Sequence, residues 1–245
     1  MQEIVYHTNY LQEDNYWWFI ARNEILKNTV KTFCSLDKKF NLLDVGCGTG
    51  GFASLLKDEC NVIGIDTSDI ALSYSKKRGI KNLHNCLLKD FDKTQYGRID
   101  AITMLDVIEH IEDDYSVVKD AFSVLDSGSY MIASVPAYQW LWSRHDEIHM
   151  HYRRYTISQI RDVFKAAGFK IIYSSHFNSI LFFPAVIKRF VDKITGGDKK
   201  NDNPIDEVPN FVNSLFTKIF GLEKNWIPKI SIPFGISIVI VAKKI

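Results

Sequence analysis

The stretch that most constrains this 245-residue chain is Leu42-Leu43-Asp44-Val45-Gly46-Cys47-Gly48-Thr49-Gly50-Gly51. An apolar run enters a glycine cluster just ahead of a helical pattern, Gly51–Lys57. Asp66 then closes the next apolar run, twenty residues after Gly46. Glycines at such a junction let the backbone turn tightly and lie against a ligand that a Cβ would hold away. A carboxylate ending the second strand accepts hydrogen bonds from two ribose hydroxyls. The pattern predicts a β-α-β unit that binds a nucleoside cofactor, and it fits two of them. Gly46, Gly48 and Gly51 satisfy the G-x-G-x-x-G of a dinucleotide site, where a helix N-terminus faces a pyrophosphate. Asp44 favours the other, because a carboxylate beside the loop suits a ligand carrying an ammonium and a sulfonium and is awkward beside a pyrophosphate.

The rest of the chain continues the alternation. Strands are expected at Leu42–Val45, Val62–Asp66, Asn82–Leu87, Ile99–Leu105, Tyr130–Val135, Lys170–Ser174 and Gly235–Ala242. Helices are expected at Gly51–Lys57, Ser68–Lys77, Asp113–Val124 and Ser158–Ala167, which indicates a parallel sheet covered on both faces. Residues 1–39 read as an aromatic arm, with Tyr16-Trp17-Trp18-Phe19 leading into a helical stretch around Arg22 to Phe33. Residues 179–233 break the rhythm with an apolar helix, Ile180–Ile194, a polar stretch, Gly196–Glu207, and an amphipathic segment, Phe211–Leu222. The expected organisation is one domain: arm or lid 1–39, cofactor-binding core 40–178, helical cap insertion 179–233 and final strand 234–245.

With 46% hydrophobic residues the chain buries a core, so disorder is excluded. Thirty basic residues against 29 acidic leave a net charge of +1, which offers nucleic acid no general attraction. The four cysteines contain no C-x-x-C pair, Met1-Gln2-Glu3 starts no secretory signal, and no uncharged apolar run reaches the roughly 18 residues of a spanning helix. A cytoplasmic protein with peripheral membrane contact through the insertion is expected, as monomer or homodimer.

Gly46, Gly48 and Gly50 also satisfy the D-x-G-x-G-x-G of the class I S-adenosylmethionine-dependent methyltransferases, and the resemblance extends past the loop. Leu105-Asp106-Val107-Ile108-Glu109-His110-Ile111 resembles the segment after the fourth strand in the branch containing ubiquinone-biosynthesis methyltransferases. Ser134-Val135-Pro136-Ala137-Tyr138, Trp142-Ser143-Arg144-His145-Asp146, His151-Tyr152-Arg153-Arg154-Tyr155-Thr156 and Tyr16-Trp17-Trp18-Phe19-Ile20-Ala21-Arg22 resemble a narrower, uncharacterised subgroup. The resemblance implies an α/β, Rossmann-like seven-stranded sheet in the order 3-2-1-4-5-7-6, its last strand antiparallel, with S-adenosylmethionine as cofactor and S-adenosylhomocysteine as product.

It further implies that the Gly46-Cys47-Gly48-Thr49-Gly50 loop underlies the methionine part, with Asp44 near its ammonium. Asp66 and Thr67 take the ribose, Cys86 and Leu87 border the adenine, and Leu105 and Asp106 face the methionyl end. Many relatives carry an acid where Cys86 stands, and Asp90 is a substitute four residues on. Trp18 and Arg22 are expected in a lid, with Arg22 meeting the methionine carboxylate, and His110 lines the pocket.

Methyl transfer from a sulfonium is an in-line displacement with a neutral leaving group, so alignment and desolvation do most of the work. A base is needed only for a hydroxyl acceptor. His145 and His151, directly after the fifth strand, are the expected catalytic residues, ahead of His149. The competing reading makes His145-Asp146 and Arg153-Arg154 a structural ion-pair network. His145 and His149 have zinc spacing on a helix, but the segment follows a strand and lacks a nearby cysteine, so no metal is assigned. The insertion is expected to form an apolar cap for an aromatic or lipid-linked acceptor. The expected function is methylation of a small molecule, O-methylation favoured. The rivals are an NAD(P)-dependent oxidoreductase and a non-catalytic S-adenosylmethionine-binding or membrane-docking protein.

Overall fold

The computed structural model describes residues 3–195 and 208–245. Seven strands, β1 (Asn41–Val45), β2 (Asn61–Asp66), β3 (Asn82–Asn85), β4 (Ala101–Leu105), β5 (Tyr130–Pro136), β6 (Lys170–Phe177) and β7 (Ser237–Lys243), form one sheet in the order 3-2-1-4-5-7-6. β7 runs antiparallel to both neighbours, whereas the β3-β2-β1-β4-β5 pairings are parallel. Every expected strand is present. The third is shorter than the apolar pattern, ending at Asn85, and the sixth is longer.

Strands buried on both faces send alternate residues into two cores. Leu43, Ile102, Met131 and Ile240 pack on one side with α5 (Asp114–Val124) and α7 (Ile157–Ala167). Leu42, Ala101, Ile132 and Val239 pack on the other with α2 (Trp17–Phe33). The helix after the glycine loop, α3, is a single turn, Gly51–Ser54, and α4 (Asp69–Lys77) follows β2 with Ser68 capping it.

Three features depart from the sequence expectations. The arm contains an additional helix, α1 (Glu3–Gln12), before α2. The histidine-rich segment after β5 includes a short helix, α6 (Arg144–Ile148), held by a capping box between Ser143 and Asp146. The insertion contributes α8 (Phe182–Thr195) and α9 (Asn210–Gly221), but α8 turns its apolar residues outward, with Phe183, Ile187 and Phe190 more than half exposed. The expected polar stretch Gly196–Glu207 lies outside the described residues.

The insertion is also a bracket for the arm. The first backbone N–H of α2 has no side-chain cap from its own segment, and Asn213 of α9 accepts it at 2.8 Å. Trp17 packs edge-on against Phe216 and Phe220. At the insertion's far end the buried Glu223 accepts the backbone N–H groups of Asn178, Ser179 and Ile180, which otherwise would be orphaned ahead of α8. Among the described residues no helix is long and apolar enough to cross a membrane.

Candidate active site

A cavity of about 780 Å³ opens at the carboxyl ends of β1, β2, β4 and β5, where open α/β sheets bind ligands. Its floor is the glycine loop. Gly46 adopts φ +66°, and a Cβ there would stand 2.6 Å from Val107, so both conformation and space demand glycine. Gly46, Cys47 and Gly48 line the cavity. Gly50 does not, contrary to expectation: it packs against Ser75, where a Cβ would lie 2.6 Å from the hydroxyl. Its role is to close the loop against α4.

Asp66 ends β2 at the cavity wall beside Thr67. Its Oδ2 accepts the Gly48 N–H at 3.0 Å and its Oδ1 the Ser68 N–H at 2.9 Å. The carboxylate therefore fixes the loop, and each oxygen keeps a second lone pair for a ligand. Burial pushes Asp66 up while the backbone N–H groups pull it back. Asp44, 3% exposed, accepts the Thr103 hydroxyl at 2.6 Å. Burial outweighs that bond and raises Asp44 to about 7.

Cys86 and Leu87 line the same end, but Asp90 is absent from the wall, because the chain turns into a 3₁₀ segment at Leu88–Asp90 that leaves Asp90 exposed. What sequence reasoning missed is α1: Tyr6, Asn9 and Glu13 line the cavity. Glu13 accepts the Thr49 hydroxyl at 2.5 Å and pairs with Arg78, so the arm is tied to the glycine loop itself.

Arg22 and Asp106 meet at the centre. Arg22 Nη2 lies 2.6 Å from Asp106 Oδ2, and the guanidinium sits over the Trp18 ring at 5.3 Å. Asp106, immediately after Leu105, takes φ +59°, a costly conformation for a non-glycine residue that recurs at functional sites. The Ser134 hydroxyl donates to it at 3.0 Å. Arg22, expected to meet a ligand carboxylate, pairs with Asp106, and its buried Nε has no hydrogen-bond partner among the described residues.

The far end of the cavity is lined by His110, His145, His149 and His151 with Arg144 and Arg154. Asp146, fully buried, organises it: its oxygens accept from Arg154 Nε at 2.7 Å and Nη2 at 2.9 Å, from the Ser143 N–H at 2.9 Å and from His151 Nδ1 at 2.9 Å. Burial acts against its charge, but the His151 and Arg154 hydrogen bonds more than offset it and hold the carboxyl below the usual range. The structural network and the candidate base are thus one assembly. Its members differ from the expected ones, since Asp146 takes His151 and Arg153 pairs with Asp114 instead.

His145 lines the cavity while remaining solvent-exposed, and the loss of water on its inner side, then the neighbouring His149, lowers its pKa. His110 is lowered to about 4, again chiefly by burial. Glu109 is completely buried, and burial together with the Asp106 carboxylate raises it well above the ordinary range. Lys188 and Arg189 of α8 also reach the wall, so the insertion presents basic rather than apolar groups to the cavity.

The sequence profile of a family described as a methyltransferase domain matches residues 17–174. A ubiquinone biosynthesis O-methyltransferase of Hydrogenovibrio crunogenus is 29% identical over 140 residues, covering 51% of this chain and 58% of that protein. A probable S-adenosylmethionine-dependent methyltransferase of Mycolicibacterium smegmatis is 26% identical over 170 residues, covering 66% and 62%. The chain thus spans about three-fifths of the length of these relatives. Among solved structures, a possible histamine N-methyltransferase from Thermotoga maritima superposes with a TM-score of 0.54 at 17% identity, covering 94% of this chain and 93% of that one. A phosphoethanolamine N-methyltransferase of Haemonchus contortus, solved with S-adenosylmethionine, gives 0.57 at 16% identity, covering 89% and 52%.

Proposed function

The chain belongs to the methyltransferase-domain family of class I S-adenosylmethionine-dependent methyltransferases, and from that premise we propose that it methylates a hydroxyl of a small acceptor. The observation that carries the proposal is the single cavity in which the glycine loop and Asp66 at one end share a space with the His151–Asp146 pair at the other. When bound, S-adenosylmethionine supplies an electrophilic methyl on a sulfonium, displaced in line with a neutral thioether leaving.

Asp66 takes the ribose hydroxyls with its second lone pairs, and Cys86 and Leu87 border the adenine. Asp44 balances the ammonium, and the orphan Nε of Arg22 gives the ligand carboxylate a charge-assisted donor. The acceptor lies between Asp106 and the histidines. Asp146 holds His151 through Nδ1, which leaves Nε2 to meet the hydroxyl proton. His145, made a weaker base by its surroundings, is assigned to shaping the wall rather than to taking the proton. The O-methyltransferase relative supports oxygen as the attacking atom.

The basic wall from Lys188 and Arg189 and the outward apolar face of α8 support an acceptor delivered from a lipid surface, with the apolar face lying in the interface. Calorimetric titration with S-adenosylhomocysteine tests the cofactor reading: saturable binding is expected, and none below roughly millimolar overturns it. Radiolabelled methyl transfer to a panel of catechols and phenols then tests the reaction. Tight product binding with no turnover on phenolic, amine or carbon acceptors would instead indicate a cofactor-binding protein without catalysis.

A further inference from the structure

Glu109 stands out at the acceptor end. It is 0% exposed, and neither carboxylate oxygen has a hydrogen-bond partner from any other described residue. Buried carboxyl groups without partners are rare because the lost hydration is not replaced. Two imidazoles stand beside it. The ring of His110 meets that of His151 edge-on, centroids 4.6 Å apart and planes at 83°. One ligating atom from each of Glu109, His110 and His151 lies within 4.8 Å of the others.

Three atoms bound to one cation at about 2.0–2.1 Å stand somewhat closer than this, a distance that small side-chain rotations supply. The surroundings resemble those of a metal centre. His151 spends Nδ1 on Asp146 and keeps Nε2, and Asp146 is itself fixed by Arg154. The backbone of His149 faces the His110 ring and favours a proton on it. A ligating histidine whose second nitrogen is held by a carboxylate or a carbonyl is the usual outer-shell arrangement.

We propose that Glu109, His110 and His151 bind a divalent transition-metal cation, zinc by its donor set, with an open coordination position facing the cavity. Two imidazoles and a carboxylate suit zinc, cobalt or ferrous iron better than magnesium, which prefers oxygen alone. All three residues line the cavity, and three protein ligands with one position free is the pattern of catalytic rather than structural zinc. Resting on the hydroxyl-methylation reading, the open position would take the acceptor oxygen and favour its ionised form. His151 then acts through the cation, because Nε2 cannot be both ligand and free base.

The test uses the whole chain, stripped with a chelator and titrated with Co²⁺ while visible absorption is followed. One saturable equivalent with d–d bands, displaced by Zn²⁺, is expected. Affinity should fall by at least about tenfold in Glu109→Gln and in His110→Asn. Circular dichroism of the same variants reports on folding and is expected to keep the wild-type spectrum. Absence of saturable bands, or bands untouched by both substitutions in variants that keep the wild-type spectrum, overturns the metal site. Methyl transfer by the stripped enzyme at the full rate overturns the cation's part in the reaction and leaves the hydroxyl-methylation reading standing. Failure of the wild type to bind S-adenosylhomocysteine strikes that reading alone.

Discussion

At one end of the cavity the floor comes from a continuous stretch of chain, Asp44 through Asp66, and the groups that matter are backbone atoms and the two carboxylates that bound it. At the other end the groups are side chains from separate segments, Glu109 and His110 after β4 and His145 to Arg154 after β5, gathered around Asp146. The first end is local and stiff, set by glycine conformation. The second is assembled, and its geometry depends on a buried ion pair. A local site tolerates change elsewhere in the chain, whereas an assembled site fails when its organiser is removed.

The largest effect should follow Asp146→Ala. It leaves Arg154, 8% exposed, without its carboxylate partner, and breaking one side of a buried pair costs about 3–5 kcal/mol. Denaturant unfolding should show that loss while the variant, kept folded by temperature, still binds S-adenosylhomocysteine. A loss below about 1 kcal/mol, the level of an exposed pair, would mean that Asp146 does not organise the acceptor end. Next, His151→Asn, which removes the group that ionises the acceptor hydroxyl directly or through the cation, should lower kcat by about 10²–10⁴-fold, with product affinity unchanged. A matching fall in product affinity would show that the two ends are not separable.

Gly46→Ala tests the stiff end. Forcing a left-handed non-glycine residue costs about 1–3 kcal/mol, and the new methyl would collide with Val107 at 2.6 Å. Gly48, also left-handed, has open space, its nearest contact 4.0 Å away. Product affinity should therefore fall further in Gly46→Ala than in Gly48→Ala. Equal losses would assign the demand to conformation alone.

The same difference explains what could be read without coordinates. The seven strands, the glycine loop and Asp66 follow from hydrophobic period and short-range spacing, while the strand order came from the family resemblance, so the sheet and the cavity floor were legible. The acceptor end was legible only as a list of histidines. Which of them Asp146 would hold depends on α6, a five-residue helix whose capping box lies within a Ser-Arg-His-Asp run that resembles loop. Glu109 gave no signal beyond its motif, because its isolation is a property of packing. Asn213 capping α2 and Glu223 anchoring the turn before α8 link positions 196 and 43–45 residues apart, beyond any local pattern. The capping box of α6 could have been found, since Ser at the cap and Asp three residues on is a known start signal.

The smallest effect sharpens the contrast through pH. Asp146 has its carboxyl held below the ordinary range, so its contribution to stability is present above the unfolded pKa and is lost only as pH falls through the lower folded value. Asp44 has the opposite sign. Its folded value is raised to about 7 against 3.8, so between those limits the folded state holds the extra proton and stability declines as pH rises. A cationic ligand reverses that penalty, because it favours the ionised carboxylate beside the loop. S-adenosylhomocysteine, whose amino group stays protonated across this range, should therefore bind more tightly as pH rises from about 6 to 8. In Asp44→Asn the slope should vanish while the His151–Asp146 end keeps its own pH behaviour. A slope that survives in Asp44→Asn would move the titrating group elsewhere, with Asp66, also raised by burial, next in line.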